Sequence, residues 1–443
     1  MTGQPFAAQG RRLGFITFGC KVNQYESAFM AAGAANSGFK ICSPWEAQLL
    51  VINTCTVTSR TDRQIRQILR QAARQIPPAK IIVTGCYAQR SPGDLAQFPN
   101  VQAIFGNLEK ASWPDLLGAV LNREKLLVQV ADLAGCRTFT PMPVQSFQGH
   151  TRAFVKIQDG CSHFCSYCIV PSVRGPERSL PIPEVLKQIQ VLLAGGFKEI
   201  VLTGINLSRF GCDLPGDQNL LTLIRRLKQT TWTARFRLSS VEPQDLSLEL
   251  LQELSTWPQF CPHFHVPMQS GAAAVLKAMQ RNYQPDEFEN LIRQINLMFP
   301  KAAVGLDVMV GFPTESPADF RQTRELLDRL PVSYLHVFPY SSRPGTPAAG
   351  WRPLVNSKEI HNRARDLRAL GWQKKLAFCQ RQVGQVAEVL VEGEVTGKSG
   401  WVTGLTENYL RVHLRGPRDL ANQVIRVRLL KTSGQNLIGE IIA

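Results

Sequence analysis

Asp159-Gly160-Cys161-Ser162-His163-Phe164-Cys165-Ser166-Tyr167-Cys168 sets three thiols in one short loop with CxxxCxxC spacing. A cubane iron-sulfur cluster has four irons and as a rule takes four cysteines, so three thiolates from one loop leave an iron open to a ligand other than protein. A zinc knuckle is the other reading: zinc takes four ligands, commonly in paired CxxC spacings, and His163 could be the fourth. The loop directly follows Arg152-Ala153-Phe154-Val155-Lys156-Ile157-Gln158, a short run with strand character.

Outward from this loop, between Gly149 and Ser342, a strand-helix unit recurs. Strand-like runs over 152–158, 198–204, 234–240, 263–269, 303–311 and 333–340 alternate with amphipathic helices such as 183–196 and 316–330. Six parallel strands of this kind predict a partial TIM-like (β/α)6 barrel, with the Cys loop at the C-terminal rim, where barrel chemistry is found.

Upstream, from Arg12 to about Asn122, strands over 13–20, 47–55, 80–86 and 101–107 alternate with helices over 23–39 and 61–75, the pattern of a parallel α/β sheet. Cys20, Cys55 and Cys86 each end one of three successive strands, and the ligand crevice of an open α/β sheet lies outside those ends. The repeated position predicts that the three thiols converge and hold a second cluster; each alone would read as a buried structural Cys. The Pro- and Gln-rich stretch Thr140–Gly149 reads as a linker. After Val383, short strands over 384–395, 400–405, 409–416, 423–431 and 437–443 are broken by Gly and predict a small OB-like β-barrel, a module that commonly binds nucleic acid. The expected domains are therefore 11–125, 147–378 and 379–443, α/β with an appended β-barrel.

Composition agrees with a large core. At 443 residues the chain has room for about three domains of roughly 150 residues each. No stretch approaches the roughly 18 uninterrupted apolar residues of a membrane span, so no membrane partner is expected. Met1 to Arg12 has Gln and Gly where a secretory signal needs an apolar core, which predicts a cytoplasmic location. Eleven cysteines, an odd number, read as reduced thiols or metal ligands and not as a disulfide framework. Lys and Arg number 50 against 34 Asp and Glu, a net +16 that favours a polyanionic partner. From Trp351 to Arg381, eight basic residues (Arg352, Lys358, Arg363, Arg365, Arg368, Lys374, Lys375, Arg381) face only Glu359 and Asp366, a patch of +6 or a solvated helix face.

The Cys loop, with Tyr167 before its last Cys, resembles the radical S-adenosylmethionine superfamily, and nearly the whole chain resembles the methylthiotransferases within it. Phe18-Gly19-Cys20-Lys21-Val22-Asn23-Gln24-Tyr25-Glu26, Asn53-Thr54-Cys55-Thr56-Val57 and Thr84-Gly85-Cys86-Tyr87 match the three Cys motifs of that family's N-terminal domain. The middle resembles its radical core and the last segment its TRAM domain. The first motif is most similar to that of enzymes acting on N6-threonylcarbamoyladenosine at position 37 of tRNA. Branches acting on N6-isopentenyladenosine or on a ribosomal-protein aspartate carry other residues there.

The resemblance implies a transferase with two 4Fe-4S clusters, S-adenosylmethionine, a tRNA partner, an electron donor and a sulfur donor. Cys161, Cys165 and Cys168 would hold the cluster that cleaves S-adenosylmethionine. Cys20, Cys55 and Cys86 would hold one whose open iron carries the sulfur that is methylated and transferred. Tyr167, Thr203, Gly204, Ser239, Glu242, His265, Gln269 and Asp307 stand at or near strand ends as candidates for the S-adenosylmethionine site. Thr203-Gly204-Ile205-Asn206 lacks the Glu of the usual Gly-Gly-Glu contact, so its backbone is the expected contact. Lys21 is a candidate partner for the carboxylate of threonylcarbamoyladenosine.

For RNA, Arg63, Arg66, Arg70 and Arg74 form one helix face, with Ile65, Leu69, Ala72 and Ile76 opposite. Arg411, Arg415, Arg418, Arg426, Arg428 and Lys431 oppose only Glu407 and Asp419 between Gly400 and Lys431, with Trp401 and Tyr409 nearby. This is the preferred docking surface. A non-catalytic metal-containing RNA-binding protein, with both Cys sets structural, is the alternative from another class.

Overall fold

Residues 10–74, 79–121, 123–145, 147 and 151–442 are described by the computed structural model. Asn122, Ile76, and Ser146, Gln148 and Gly149 of the expected linker lie outside them. The N-terminal sheet is made of β1 (Arg12–Thr17), β2 (Lys40–Ile41), β3 (Leu49–Thr54), β4 (Lys80–Gly85), β5 (Val101–Phe105) and β6 (Leu127–Gln129), all parallel, in the order β2-β1-β3-β4-β5-β6. Every residue of central β3 is buried, because helices cover both faces of a parallel sheet. The two edge strands β2 and β6 are additions to the expected four; runs of two and three residues are too short to show a period.

The helix Lys21–Asn36 shows no single apolar stripe because it has core on two sides. Met30 and Ala34 pack on the sheet, whereas Tyr25 belongs to the core of the next unit and donates its Oη to the Met142 carbonyl at 2.6 Å. The helix Ser59–Ala73 is amphipathic in the expected sense. Ile65, Leu69 and Ala72 are buried, and Thr58 caps its start by accepting from the Thr61 amide.

The middle of the chain supplies β7 (Arg152–Lys156), a short antiparallel pair β8 (Gln158–Asp159) and β9 (Arg178–Ser179), then β10 (Glu199–Thr203), β11 (Arg235–Leu238), β12 (His263–Gln269), β13 (Ala303–Val310) and β14 (Tyr334–Pro339). Parallel sheets β7-β10-β11 and β12-β13-β14 meet through a bridge between Phe236 and Phe260, so the six expected strands form an open, partial barrel.

The helix Ser357–Gln382, capped by Asn356, leads into β15 (Val386–Glu394), β16 (Trp401–Thr406), β17 (Arg411–Arg415), β18 (Val424–Ser433) and β19 (Asn436–Ile441), closed in the order β15-β16-β17-β19-β18. The boundary expected at 378/379 falls inside that helix, where Phe378 and Cys379 enter the small barrel's core. Below the larger barrel, buried Glu199 pairs with Arg235 and Arg237. These arginines donate to the carbonyls of Leu405 and Glu407 and lock the two barrels together. Among the described residues, no helix is long and apolar enough to cross a membrane.

Candidate active site

The Cys loop spans β8 to the helix Val170–Arg174, and its backbone is pinned from both sides. Cys161 N donates to Gly175 O at 2.9 Å, Cys168 N to Cys165 O at 2.9 Å, and Ser166 N to Met279 O at 3.1 Å. Glu177 accepts from the Ser162 amide at 2.8 Å. Gly160 has φ +76°, and a Cβ there would lie 1.9 Å from the Pro176 carbonyl, so only glycine fits the entry to the loop. Burial pushes the Cys161 thiol up to about 11 and Cys168 up to about 12. Burial disfavours their thiolate forms, which a bound cation would restore.

The loop opens on a cavity of about 560 Å³. Four of the expected cofactor contacts line it: Tyr167, Glu242, Gln269 and Asp307. Four do not. Thr203 and Ser239 are turned into the core, where Ile205, Asn206 and Ser240 reach the cavity instead; Gly204 lies against Gln158, whose Cβ would be 2.9 Å from an added Cβ; His265 stands behind Asp307, its Nε2 2.8 Å from Oδ1. Burial alone would raise the Asp307 carboxyl, but His265 and His336 hold it below the usual carboxylate range. Around the cavity, buried Asn206 Oδ1 and Gln269 Oε1 have no partner among the described residues, as a polar ligand's contacts require. Gln269 sits at φ +62°, a strained conformation for a non-glycine residue and one that commonly marks a site.

Arg281 is a site residue that the sequence reading missed. Its buried guanidinium pairs with Glu242 and lies 3.7 Å from Cys165 Sγ. It follows the short helix Ala273–Ala278 as a lone Arg, with no periodic pattern to single it out.

The second Cys set comes from three strand ends. Cys20 precedes the helix Lys21–Asn36, Cys55 follows β3, and Cys86 opens the helix Cys86–Arg90 after β4. A Cβ on Gly19 would touch Cys55 Sγ at 3.1 Å, which brings the first two together; Cys20 feels the charge of Cys86, and Cys55 those of Cys86 and Cys20. Gly85, at φ +96°, is fixed as glycine because a Cβ would meet Thr54 O at 2.4 Å. Burial pushes Cys55 up to about 12.

This set also adjoins the first. Cys86 packs with Ile169 and Val173, and Val57 and Thr58, just after Cys55, line the same cavity as Cys161, Cys165 and Cys168. Among the described residues, His265, Asp307 and His336 are the trio whose ligand atoms all lie within 4.8 Å.

The basic residues divide. Arg63, Arg70 and Arg74 are exposed, whereas Arg66 is half-buried and donates to Tyr87 Oη at 2.8 Å. Arg415, Arg418, Arg426, Arg428 and Lys431 are exposed on the small barrel; Arg411 is tied to Glu392 at 3.0 Å. Trp401 lies under Lys398 and Arg415, but Tyr409 is turned inward, stacked on His263 beneath Arg237. The Trp351–Arg381 patch is interrupted. Arg363 is buried against Glu315, and Lys374 donates to Asp328 and Leu330 carbonyls at the end of a neighbouring helix. Lys21 is half-buried, and its charge reaches His263 and Tyr409, both of which burial and nearby cations perturb.

The Radical SAM superfamily matches residues 155–327, the larger barrel with its Cys loop, and the protein is of that class. The uncharacterized protein family UPF0004 matches residues 12–106, the N-terminal sheet. The chain is 36% identical over 417 residues to the threonylcarbamoyladenosine tRNA methylthiotransferase MtaB of Aquifex aeolicus, covering 93% of this chain and 99% of the relative. It is 33% identical to a tRNA-2-methylthio-N(6)-dimethylallyladenosine synthase of Pelotomaculum thermopropionicum, covering 96% of both. The chain belongs to the radical S-adenosylmethionine methylthiotransferase family. In fold it is also similar to the radical S-adenosylmethionine methyltransferase TsrM of Kitasatospora setae, at TM-score 0.55 and 15% identity over 77% of this chain and 74% of that one.

Proposed function

We propose that the protein methylthiolates carbon 2 of N6-threonylcarbamoyladenosine at position 37 of tRNA, using a 4Fe-4S cluster on Cys161, Cys165 and Cys168, a second on Cys20, Cys55 and Cys86, and S-adenosylmethionine. The observation that carries this reading is the shared cavity: residues that follow Cys55 line it together with the whole loop triad. When bound, the cofactors supply a radical able to remove a hydrogen atom and a sulfur to replace it.

The chain's own part is placement. Tyr167 lines the cavity, braced edge-to-face by buried Phe312 behind it, a wall for an adenine. The Arg281–Glu242 pair fixes a carboxylate at its side, available to an amino group, and Asn206 presents an unpaired Oδ1. The exposed arginines of β18 and the helix Ser59–Ala73 carry the phosphate contacts, whereas Lys21, the expected partner of the substrate carboxylate, does not line the cavity.

Several similar relatives bear the threonylcarbamoyladenosine name, and their 36% identity over at least 90% of this chain supports that branch. The test is purified, anaerobically reconstituted enzyme with tRNA carrying either modified adenosine, followed by mass spectrometry of nucleosides. Product is expected on threonylcarbamoyladenosine alone. Turnover of isopentenyladenosine tRNA, or of ribosomal protein only, moves the chain to another branch.

A further inference from the structure

One guanidinium lies beside the dispersed Cys set and keeps a free donor. Arg174, on the helix after the Cys loop, is 1% exposed. Its Nη1 donates to Glu26 at 2.6 Å and lies 3.4 Å from Asp159, and its Nη2 is taken by Asn23 and Glu26. Its Nε has no hydrogen-bond partner among the described residues. Leaving a buried charged donor unsatisfied is costly, so the position calls for an acceptor.

Three contacts put Arg174 at the cysteines. The preceding Val173 packs on Cys86. Asn23, which accepts from Arg174, donates to the carbonyls of Phe18 at 2.7 Å and Thr54 at 3.0 Å, in the segments that present Cys20 and Cys55. Asn107, 3.8 Å from Cys86 Sγ, donates to Val173 O at 2.7 Å. Glu26 meanwhile is shared with Lys110 and Lys156, so the carboxylate does not neutralise Arg174 alone.

We propose that Arg174 Nε–H is the binding donor for an anionic sulfur species, hydrosulfide or its equivalent, held at the open position of the Cys20, Cys55 and Cys86 cluster. The inference rests on the two-cluster reading above. It makes a residue of the radical core a part of the sulfur site of the N-terminal domain, so that sulfur is held firmly only when the two units are docked. Lysine at this position would keep the charge and lose the planar fork that offers Nε while Nη1 and Nη2 stay engaged.

The experiment uses full-length protein with Cys161, Cys165 and Cys168 changed to Ala, so that iron reports the N-terminal set alone. Sodium sulfide is titrated while the electron paramagnetic resonance spectrum of the reduced cluster is recorded. R174Q and R174K are compared with K110Q, which removes one positive charge from the same Glu26 and leaves the guanidinium. The sulfide concentration that shifts the spectrum should rise roughly ten- to a hundredfold in R174Q and R174K, as for loss of a charge-assisted hydrogen bond, and stay near the parent value in K110Q. Parent-like titration of R174K, or equal weakening in K110Q and R174Q, overturns the donor assignment. Absence of iron from the parent itself refutes the second cluster, a separate failure.

Discussion

The two Cys sets are assembled by opposite routes. Cys161, Cys165 and Cys168 belong to one loop, and what holds them is local: Gly160 at its entry, Glu177 across it, Ser166 tied to Met279. Cys20, Cys55 and Cys86 are far apart in sequence and meet because β1, β3 and β4 are neighbours in register, Thr17 beside Asn53 and Asn53 beside Thr84. A loop triad depends on its own turns. A dispersed triad depends on sheet register, where a slip of one residue would carry every side chain to the other face.

The most drastic way to break the comparison is to delete the local set. Replacing Cys161, Cys165 and Cys168 together by Ala should abolish S-adenosylmethionine cleavage and remove about half of the iron, measured by 5'-deoxyadenosine assay and iron analysis. A full iron load in that variant would mean that the loop holds no cluster.

Next in size is Cys55→Ala, which attacks the dispersed set. Methylthio product should vanish while some 5'-deoxyadenosine still forms, because radical generation and sulfur delivery are assigned to different thiols. Normal product yield from this variant would collapse the division of labour.

A third effect sharpens the contrast between local and long-range support. Glu199, fully buried between Arg235 and Arg237, is held at about 2 against an ordinary 4.5: burial opposes its charge, and Arg237 and then Arg235 more than offset that. A depressed carboxylate contributes stability that is present above its unfolded pKa and lost as pH falls through its folded one. Melting temperature should therefore decline more steeply between pH 4.5 and 2 in the parent than in E199Q, with about 3 kcal/mol at stake. Parallel curves for the two proteins would remove Glu199 from the account.

The smallest effect concerns the surface. Arg426 and Arg428 alternate with buried Val427 and Leu429 along β18, so they present two charges outward. Changing both to Gln should weaken tRNA binding across sequences and lower the slope of log affinity against log salt by about 2. An unchanged slope would return them to plain surface.

Much of this was legible because the signals are local or periodic. The six strands of the larger barrel and the five of the smaller announced themselves as short apolar runs between turn residues, and Cys161, Cys165 and Cys168 as a spacing. The repeated strand-end position of Cys20, Cys55 and Cys86 was legible too, since a parallel sheet turns sequence periodicity into shared direction. Arg174 and Arg281 were not: each is a single buried Arg whose partners, Glu26 and Glu242, lie in other elements. Tyr409 was misread as part of an RNA face for the same reason. Nothing in its neighbours in sequence tells that it stacks on His263 from a distant strand.

The sequence by itself therefore determined the elements, their class and two groups of three thiols, because propensity, periodicity and motif spacing act over a few residues. Only the tertiary structure decided that Val57 and Thr58, just after Cys55, line the cavity of the loop triad, that Thr203, Gly204, Ser239 and His265 stand back from it while Asn206 and Ser240 reach it, and that Arg174 crosses from one unit to the other. Those facts come from side chains converging across long loops, where the energy lies in buried charge pairs and close packing between elements.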